Sequence, residues 1–228
     1  MGQAVPVTTA QRVHPMGSRL AAAGTCALVV VLLGAGVAGG WGPQLRLDDA
    51  VSVALYAGDD RSRAVSVLLE VLTAPGYTVA RLLVFAPVVV WLVRVGRRRD
   101  AVWVTVAVVG VGPLNSGLKE LVGRVRPDFP GGGAGYDSLS FPSGHSSGIA
   151  CLVVTALLLA WPVLSGAGRR WAAVAGLALV VVVGLSRIWL GVHYLSDVVA
   201  GWAFGAGWTL LVATIGQRGG ERVRWTRA

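Results

Sequence analysis

Charge is scarce in this 228-residue chain: 14% of its residues are Asp, Glu, Lys or Arg, against roughly 25% in a soluble domain. So few charged groups cannot cover a water-facing surface, which excludes an ordinary soluble globular protein. Cysteine is limited to Cys26 and Cys151, both within apolar runs, so a disulfide scaffold is excluded and both read as small buried hydrophobes. Lysine occurs once, at Lys119, among 20 basic residues. Strand-like alternation is missing from every long apolar run, which argues against a membrane barrel. What remains is apolar: 54% of residues are hydrophobic, far too many for a disordered chain.

A spanning helix needs about 20 predominantly apolar residues. Stretches free of Asp, Glu, Lys and Arg run from Leu20 to Leu45, Ala101 to Leu118, Ser138 to Gly168, Trp171 to Ser186 and Val198 to Gln217. A sixth, from about Gly76 to Val95, is broken only by Arg81, near enough to one end for its stem to snorkel to the headgroups. The reading is an all-α, six-transmembrane-helix bundle forming one domain over residues 1–228. Its first span reads less well as a cleaved signal peptide, because the uncharged stretch is longer than such a segment.

The net charge of +9 alone would suggest an acidic partner such as nucleic acid. Its distribution argues otherwise. With the N-terminus inside, the cytoplasmic segments hold Arg12, Arg19, Arg94, Arg97, Arg98, Arg99, Arg169, Arg170, Arg218, Arg222, Arg224 and Arg227 against Asp100 and Glu221. The outer side is then close to neutral, as the positive-inside rule requires. Residues 1–18 and 218–228 become cytoplasmic tails of a multi-pass protein of the cell membrane, and no nucleic-acid partner is expected. Trp41, Trp91, Trp103, Trp161, Trp171 and Trp189 fall near span ends, as an interfacial belt would.

Between the first two spans, residues 44–74 mix Asp48, Asp49, Asp59, Asp60, Arg61, Arg63 and Glu70 with apolar positions, which reads as one or two short interfacial amphipathic helices. The paired aspartates read as solvated or helix-capping rather than metal-binding, since no His or further carboxylate stands beside them. Gly131, Gly132, Gly133, Ala134 and Gly135 read as a flexible loop; no Gly-Lys-Ser/Thr follows to make it a phosphate loop. Gly36 with Gly40, and Gly201 with Gly205, have the spacing of close helix packing and say nothing of dimerisation, so the oligomeric state stays open.

Three polar clusters all fall on the outer side of this topology. They are Lys119 with Arg126 and Pro127; Phe141, Pro142, Ser143, Gly144 and His145; and Ser186, Arg187, His193 and Asp197. Lys119, Arg126 and Arg187 can surround a phosphate dianion, with Arg124 a fourth cation of open role. Ser143, Gly144 and His145 stand at a helix start, where free N–H groups and the dipole favour an anion. His193 and Asp197 are four apart, so the carboxylate can accept the Nδ1 proton and leave Nε2 as a nucleophile, while His145 protonates a leaving group. Taken singly, each has a bland reading: an interfacial His–Asp pair, a loop cation before proline, a helix cap.

In combination the residues resemble the three-part motif of the type 2 phosphatidic acid phosphatase superfamily: Lys119, six residues, Arg126-Pro127; Pro142-Ser143-Gly144-His145; Ser186-Arg187, five residues, His193, three residues, Asp197. The resemblance implies that Lys119, Arg126, Ser143, Gly144 and Arg187 bind phosphate. It likewise implies that His193 becomes a phosphohistidine, Asp197 orients it and His145 is the general acid. Soluble vanadium haloperoxidases share such a site, but six spans and a short chain disfavour that activity. The implied function is hydrolysis, without metal or other cofactor, of a lipid phosphate or diphosphate headgroup at the outer face of the bilayer. Undecaprenyl diphosphate, phosphatidylglycerophosphate and phosphatidate are the implied substrates. The alternative is an anionic-lipid transporter or flippase, but the polar groups gather on one side rather than at the midplane.

Overall fold

The computed structural model describes residues 16–133 and 136–217, and among them the chain is all-α, without a strand. The elements are α1 (Met16–Ala38), α2 (Gly42–Leu55), α3 (Arg63–Thr73), a 3-10 turn (Ala74–Gly76), α4 (Thr78–Arg94), α5 (Arg98–Val122), α6 (Gly144–Ala160), α7 (Gly166–Trp189) and α8 (Leu195–Gln217). Both tails, to residue 15 and from residue 218, lie outside the described residues, and so do Arg12, Arg218, Arg222, Arg224, Arg227, Ala134 and Gly135.

Four helices, α1, α5, α7 and α8, are long and apolar enough to cross a membrane. The piece Arg63–Gly76 and α4 pass the same test together with a 42° bend, which raises the number to five; α6 is apolar but has 17 residues. The six expected spans are therefore matched only in part, because absence of charge is not helicity. Within the run Ser138 to Gly168, the segment before Gly144 is a non-helical turn, and Ser165 caps a new helix by accepting from Gly168 N at 3.1 Å. Leu20 to Leu45 is likewise cut: α1 stops at Ala38 and Gly40 turns the chain with φ +66°. Leu32, Leu83, Val109, Leu177 and Ile215 all point outward from long helices, an apolar exterior suited to lipid. This is a membrane protein.

Helix α8 is central, packing on α1, α2, α5, α6 and α7. Its glycines let two backbones touch: a Cβ on Gly205 would stand 2.2 Å from the Ser147 carbonyl oxygen, and one on Gly201 2.6 Å from that of Ser143. The Gly201/Gly205 pair thus packs α8 on α6. Gly36 and Gly40 do not form such a face, since Gly36 meets the Gln44 side chain and Gly40 lies in a turn. Phe85, Leu92, Trp103, Val104, Val108 and Val212 form the main core between α4, α5 and α8.

Three side chains depart from expectation. Trp103 is buried, its Nε1 donating to Asp100 Oδ1 at 2.9 Å, so it leaves the interfacial belt, whereas Trp41, Trp91 and Trp171 are exposed. Cys26 is only half-buried, against Gly207, while Cys151 is fully buried. Arg81 does not snorkel: it is 2% exposed and donates from Nε to the Val108 carbonyl at 2.9 Å.

The α6–α8 contact makes a stability prediction. Gly205→Ala should lower stability by about 1–3 kcal/mol through overpacking, read as a lower thermal midpoint in detergent. Gly117→Ala, with nothing near its Cβ, should leave the midpoint unchanged or raise it.

Candidate active site

All eight residues singled out in the sequence gather at one end of the bundle, where α5 and α7 end and α6 and α8 begin. Lys119 is in the last turn of α5 and Arg187 in that of α7; Ser143 caps α6, Gly144 and His145 open it, and Asp197 is in the first turn of α8. Arg126 and His193 lie on the α5–α6 and α7–α8 connections.

Hydrogen bonding determines which nitrogen of His193 carries its proton. Arg126 Nη1 lies 3.2 Å from His193 Nε2. A guanidinium only donates, so Nε2 must present its lone pair. The proton is then on Nδ1, which faces Asp197 Oδ2 at 3.3 Å. Asp197 is in turn held by Tyr194 N on Oδ2 (3.0 Å) and Arg124 Nη1 on Oδ1 (2.8 Å). His193 reaches Asp197 from the turn before α8, not from a shared helical face. Burial pushes the His193 imidazole well below its ordinary value, and Arg126, Arg187 and Lys119 push the same way, so its neutral form is favoured.

The α6 start is latched to this pair through the backbone, Ser143 N donating to the Asp197 carbonyl at 2.9 Å. The Ser143 hydroxyl accepts from Ser146 N at 3.5 Å. Asn115 Nδ2 donates to the Pro142 carbonyl at 3.0 Å and Ser147 Oγ to Asn115 Oδ1 at 2.9 Å, which ties the turn to α5.

The cations rest on neutral acceptors. Lys119 donates to the Leu139 carbonyl. Arg126 donates to the Ser138 carbonyl (2.7 Å), Ser138 Oγ (2.8 Å) and the Val192 carbonyl (2.7 Å), and lies 4.7 Å over the Tyr136 ring. Arg187 Nη1 donates to Thr73 Oγ1 at 3.1 Å. Among the described residues none of the three has a carboxylate partner. The buried Nε of Arg187 and Nε2 of His145 have no hydrogen-bond partner there either. Three like charges with unused donors, and a neutral imidazole lone pair among them, suit a phosphate dianion facing a nucleophile. Among the described residues no three His, Cys, Asp or Glu side chains are grouped to hold a metal ion.

Sequence reasoning missed what carries this arrangement. Arg124, left open as a phosphate cation, spans two buried carboxylates, with Nη1 on Asp197 and Nη2 on Asp48 Oδ2 at 2.7 Å. Asp48 is not solvated: it is 1% exposed and also accepts from Ser196 N (2.9 Å) and Ser196 Oγ (2.6 Å), capping α8 from another helix. The glycine segment is pinned where it is described. Gly131 N donates to Asp59 Oδ1 at 2.6 Å, Arg61 Nη2 donates to the Gly131 carbonyl at 2.8 Å, and Gly133 N donates to the Gly191 carbonyl at 2.8 Å. No local signal pairs positions 48 and 124, so only their scarcity as charges could have drawn attention to them.

Known proteins share this architecture. A solved transmembrane PAP2 type phosphatidylglycerolphosphate phosphatase from Bacillus subtilis superposes with a TM-score of 0.73 at 27% identity, covering 90% of this chain and 98% of that one. Phosphatidylglycerophosphatase B of Bacillus subtilis is 42% identical over 95 residues, 40% of this chain and 46% of that protein. Lipid A 1-phosphatase of Rhizobium johnstonii is 39% identical over 122 residues, 50% of this chain and 46% of that protein. An undecaprenyl-diphosphatase of Sulfolobus acidocaldarius is 39% identical over 67 residues, 29% of each chain. The chain spans about half the length of the first two of these curated relatives. Residues 100–220, more than half of the chain and the whole polar cluster from Lys119 to Asp197, match the PAP2 superfamily, to which this protein belongs.

Proposed function

We propose that this protein is a lipid phosphatase that hydrolyses a phosphate or diphosphate headgroup through a phosphohistidine on His193. The observation that carries the reading is the Arg126 contact to His193 Nε2, which leaves a lone pair facing a cluster of unneutralised cations. In the reaction, Arg126 moves its Nη1–H hydrogen bond from Nε2 to a phosphate oxygen, and the freed Nε2 lone pair attacks phosphorus in line while Asp197 holds the Nδ1 proton. Lys119, Arg126, Arg187 and the Ser143–Gly144 turn stabilise the equatorial oxygens. His145 protonates the departing oxygen, and water then cleaves the phosphohistidine. The names of the relatives support a lipid substrate.

We further propose that α4 and α6 also cross the bilayer. Each has 17 residues, about 25 Å of helix; α6 packs between α5, α7 and α8, while α4 packs on α5 with an exposed apolar outer face. Six crossings put both termini in the cytoplasm and the site at the outer face, as the arginine distribution of the sequence favours.

His193→Ala should lower phosphate release by at least about a thousandfold while leaving the detergent melting curve in place. Substantial residual hydrolysis would sink the mechanism. Phosphate release by purified protein in micelles, where no gradient exists, also separates an enzyme from a transporter.

The pH dependence has a definite sign. His193 must be neutral to attack, and its folded-state value is lowered, so the acidic limb of kcat/KM should lie well below the ordinary histidine value of about 6.5. The alkaline limb belongs to kcat, where it reports loss of the His145 proton in the substrate complex. An acidic limb at or above the ordinary value would remove His193 from the nucleophile's role. Turnover should persist in excess chelator; loss restored by Mg²⁺ would contradict the proposed mechanism.

A further inference from the structure

Arg81 is a buried cation outside the cluster just described. Its Nε donates to the Val108 carbonyl and its Nη2 lies 3.5 Å from Thr78 Oγ1, both neutral acceptors. Among the described residues no carboxylate pairs with it. A guanidinium keeps its proton, so α4 holds an uncompensated positive charge inside an apolar bundle, an expensive arrangement unless an anion visits it. Arg81 lines a cavity of about 370 Å³ between α4, α5, α6 and the 3-10 turn. Its polar walls include Thr78, Asn115, Ser116 and Ser147, with no carboxylate, and His145 forms part of it.

The position of His145 gives the cavity a chemical meaning. His145 lines the cavity and also directly follows the Ser143–Gly144 turn that opens α6 at the cation cluster; His193 itself does not line the cavity. In-line displacement sends the leaving group away from the attacking nitrogen, toward the acid that protonates it. The leaving group therefore lies on the His145 side, toward the cavity that His145 lines.

We propose that this cavity is a leaving-group subsite in which Arg81 takes a second phosphate, so that the preferred substrates are lipid diphosphates rather than monophosphates. The inference rests on the phosphatase reading above. The His193 Nε2 lone pair forms the bond to the terminal phosphorus, and the bond from that phosphorus to the bridging oxygen breaks. The electron pair goes to the bridging oxygen, which receives the proton of His145 and leaves as a terminal oxygen of the lipid monophosphate. Arg81 offsets the charge of that monophosphate; water then releases inorganic phosphate from His193. With a monophosphate substrate the leaving group is a neutral alcohol, and Arg81 gains nothing.

The test compares farnesyl diphosphate with farnesyl monophosphate as substrates of the full chain in detergent. Arg81→Met should lower the ratio of kcat/KM values, diphosphate over monophosphate, by at least about tenfold, the scale of one charge-assisted hydrogen bond. Arg81→Lys should retain most of the preference. An equal fall for both substrates, or an unchanged ratio, would overturn the subsite.

Should Arg81→Met fail to fold, competition by inorganic pyrophosphate and phosphate against wild type and Arg81→Lys decides the same point. Wild type should favour pyrophosphate by about tenfold or more, and parity would overturn the proposal. If wild type releases phosphate from neither lipid, the phosphatase reading fails by itself. Pyrophosphate binding measured by calorimetry on wild type then tests the subsite: a preference over phosphate supports it and parity overturns it.

Discussion

The buried Arg124 guanidinium, shared between Asp48 and Asp197, is the interaction on which the site depends. It joins three elements far apart in the chain: α2, the connection after α5, and the start of α8. Removing water from three charges is unfavourable by several kcal/mol per ion, so the group is stable only because each carboxylate also meets other donors. Ser196 N and Oγ complete Asp48, while Tyr194 N and His193 complete Asp197. With Arg124 holding one oxygen of Asp197, the other is aimed at His193, and the imidazole is turned toward Arg126.

From that clamp the remaining geometry follows by short links. The Asp197 carbonyl takes Ser143 N, which sets the start of α6, and the glycines of α8 let the two helix backbones meet there. Asn115 and Ser147 secure the same turn to α5. Helix ends carry most of the polar groups, Lys119 and Arg187 among them, while Arg126 on the α5–α6 connection is held in place by its bonds to Ser138 and the Val192 carbonyl. The mutual repulsion of these three cations is tolerated because each sits on carbonyl or hydroxyl oxygens.

Much of the bundle was legible from patterning alone. Runs poor in charge located α1, α4, α5, α6, α7 and α8, since a spanning helix must be apolar along its length. Their limits were less legible: α5 and α7 extend past their uncharged runs, while α6 falls short of its own because glycine, proline and serine turn the chain before Gly144. The three motifs were readable because phosphate chemistry demands rare residue types in an otherwise apolar chain. Arg81, Trp103, the glycine segment and the solvated half of the Asp48 reading, though not its capping half, were misread for one common reason. Each was judged by its neighbours in sequence, and each is satisfied by a partner distant in sequence or turned to a face that sequence position does not specify.

By itself, then, the composition of the sequence determined that this is an apolar, helical membrane protein, and the resemblance of its three motifs to the PAP2 superfamily pointed to the eight residues that gather at its polar end. Tertiary structure decided how those residues face one another: the tautomer of His193, the clamp by Arg124, and the inward turn of Arg81 toward a cavity beside His145. The physical reason is that a buried charge takes its orientation from whichever donors and acceptors surround it in space, and in this fold those come from residues up to 148 positions away.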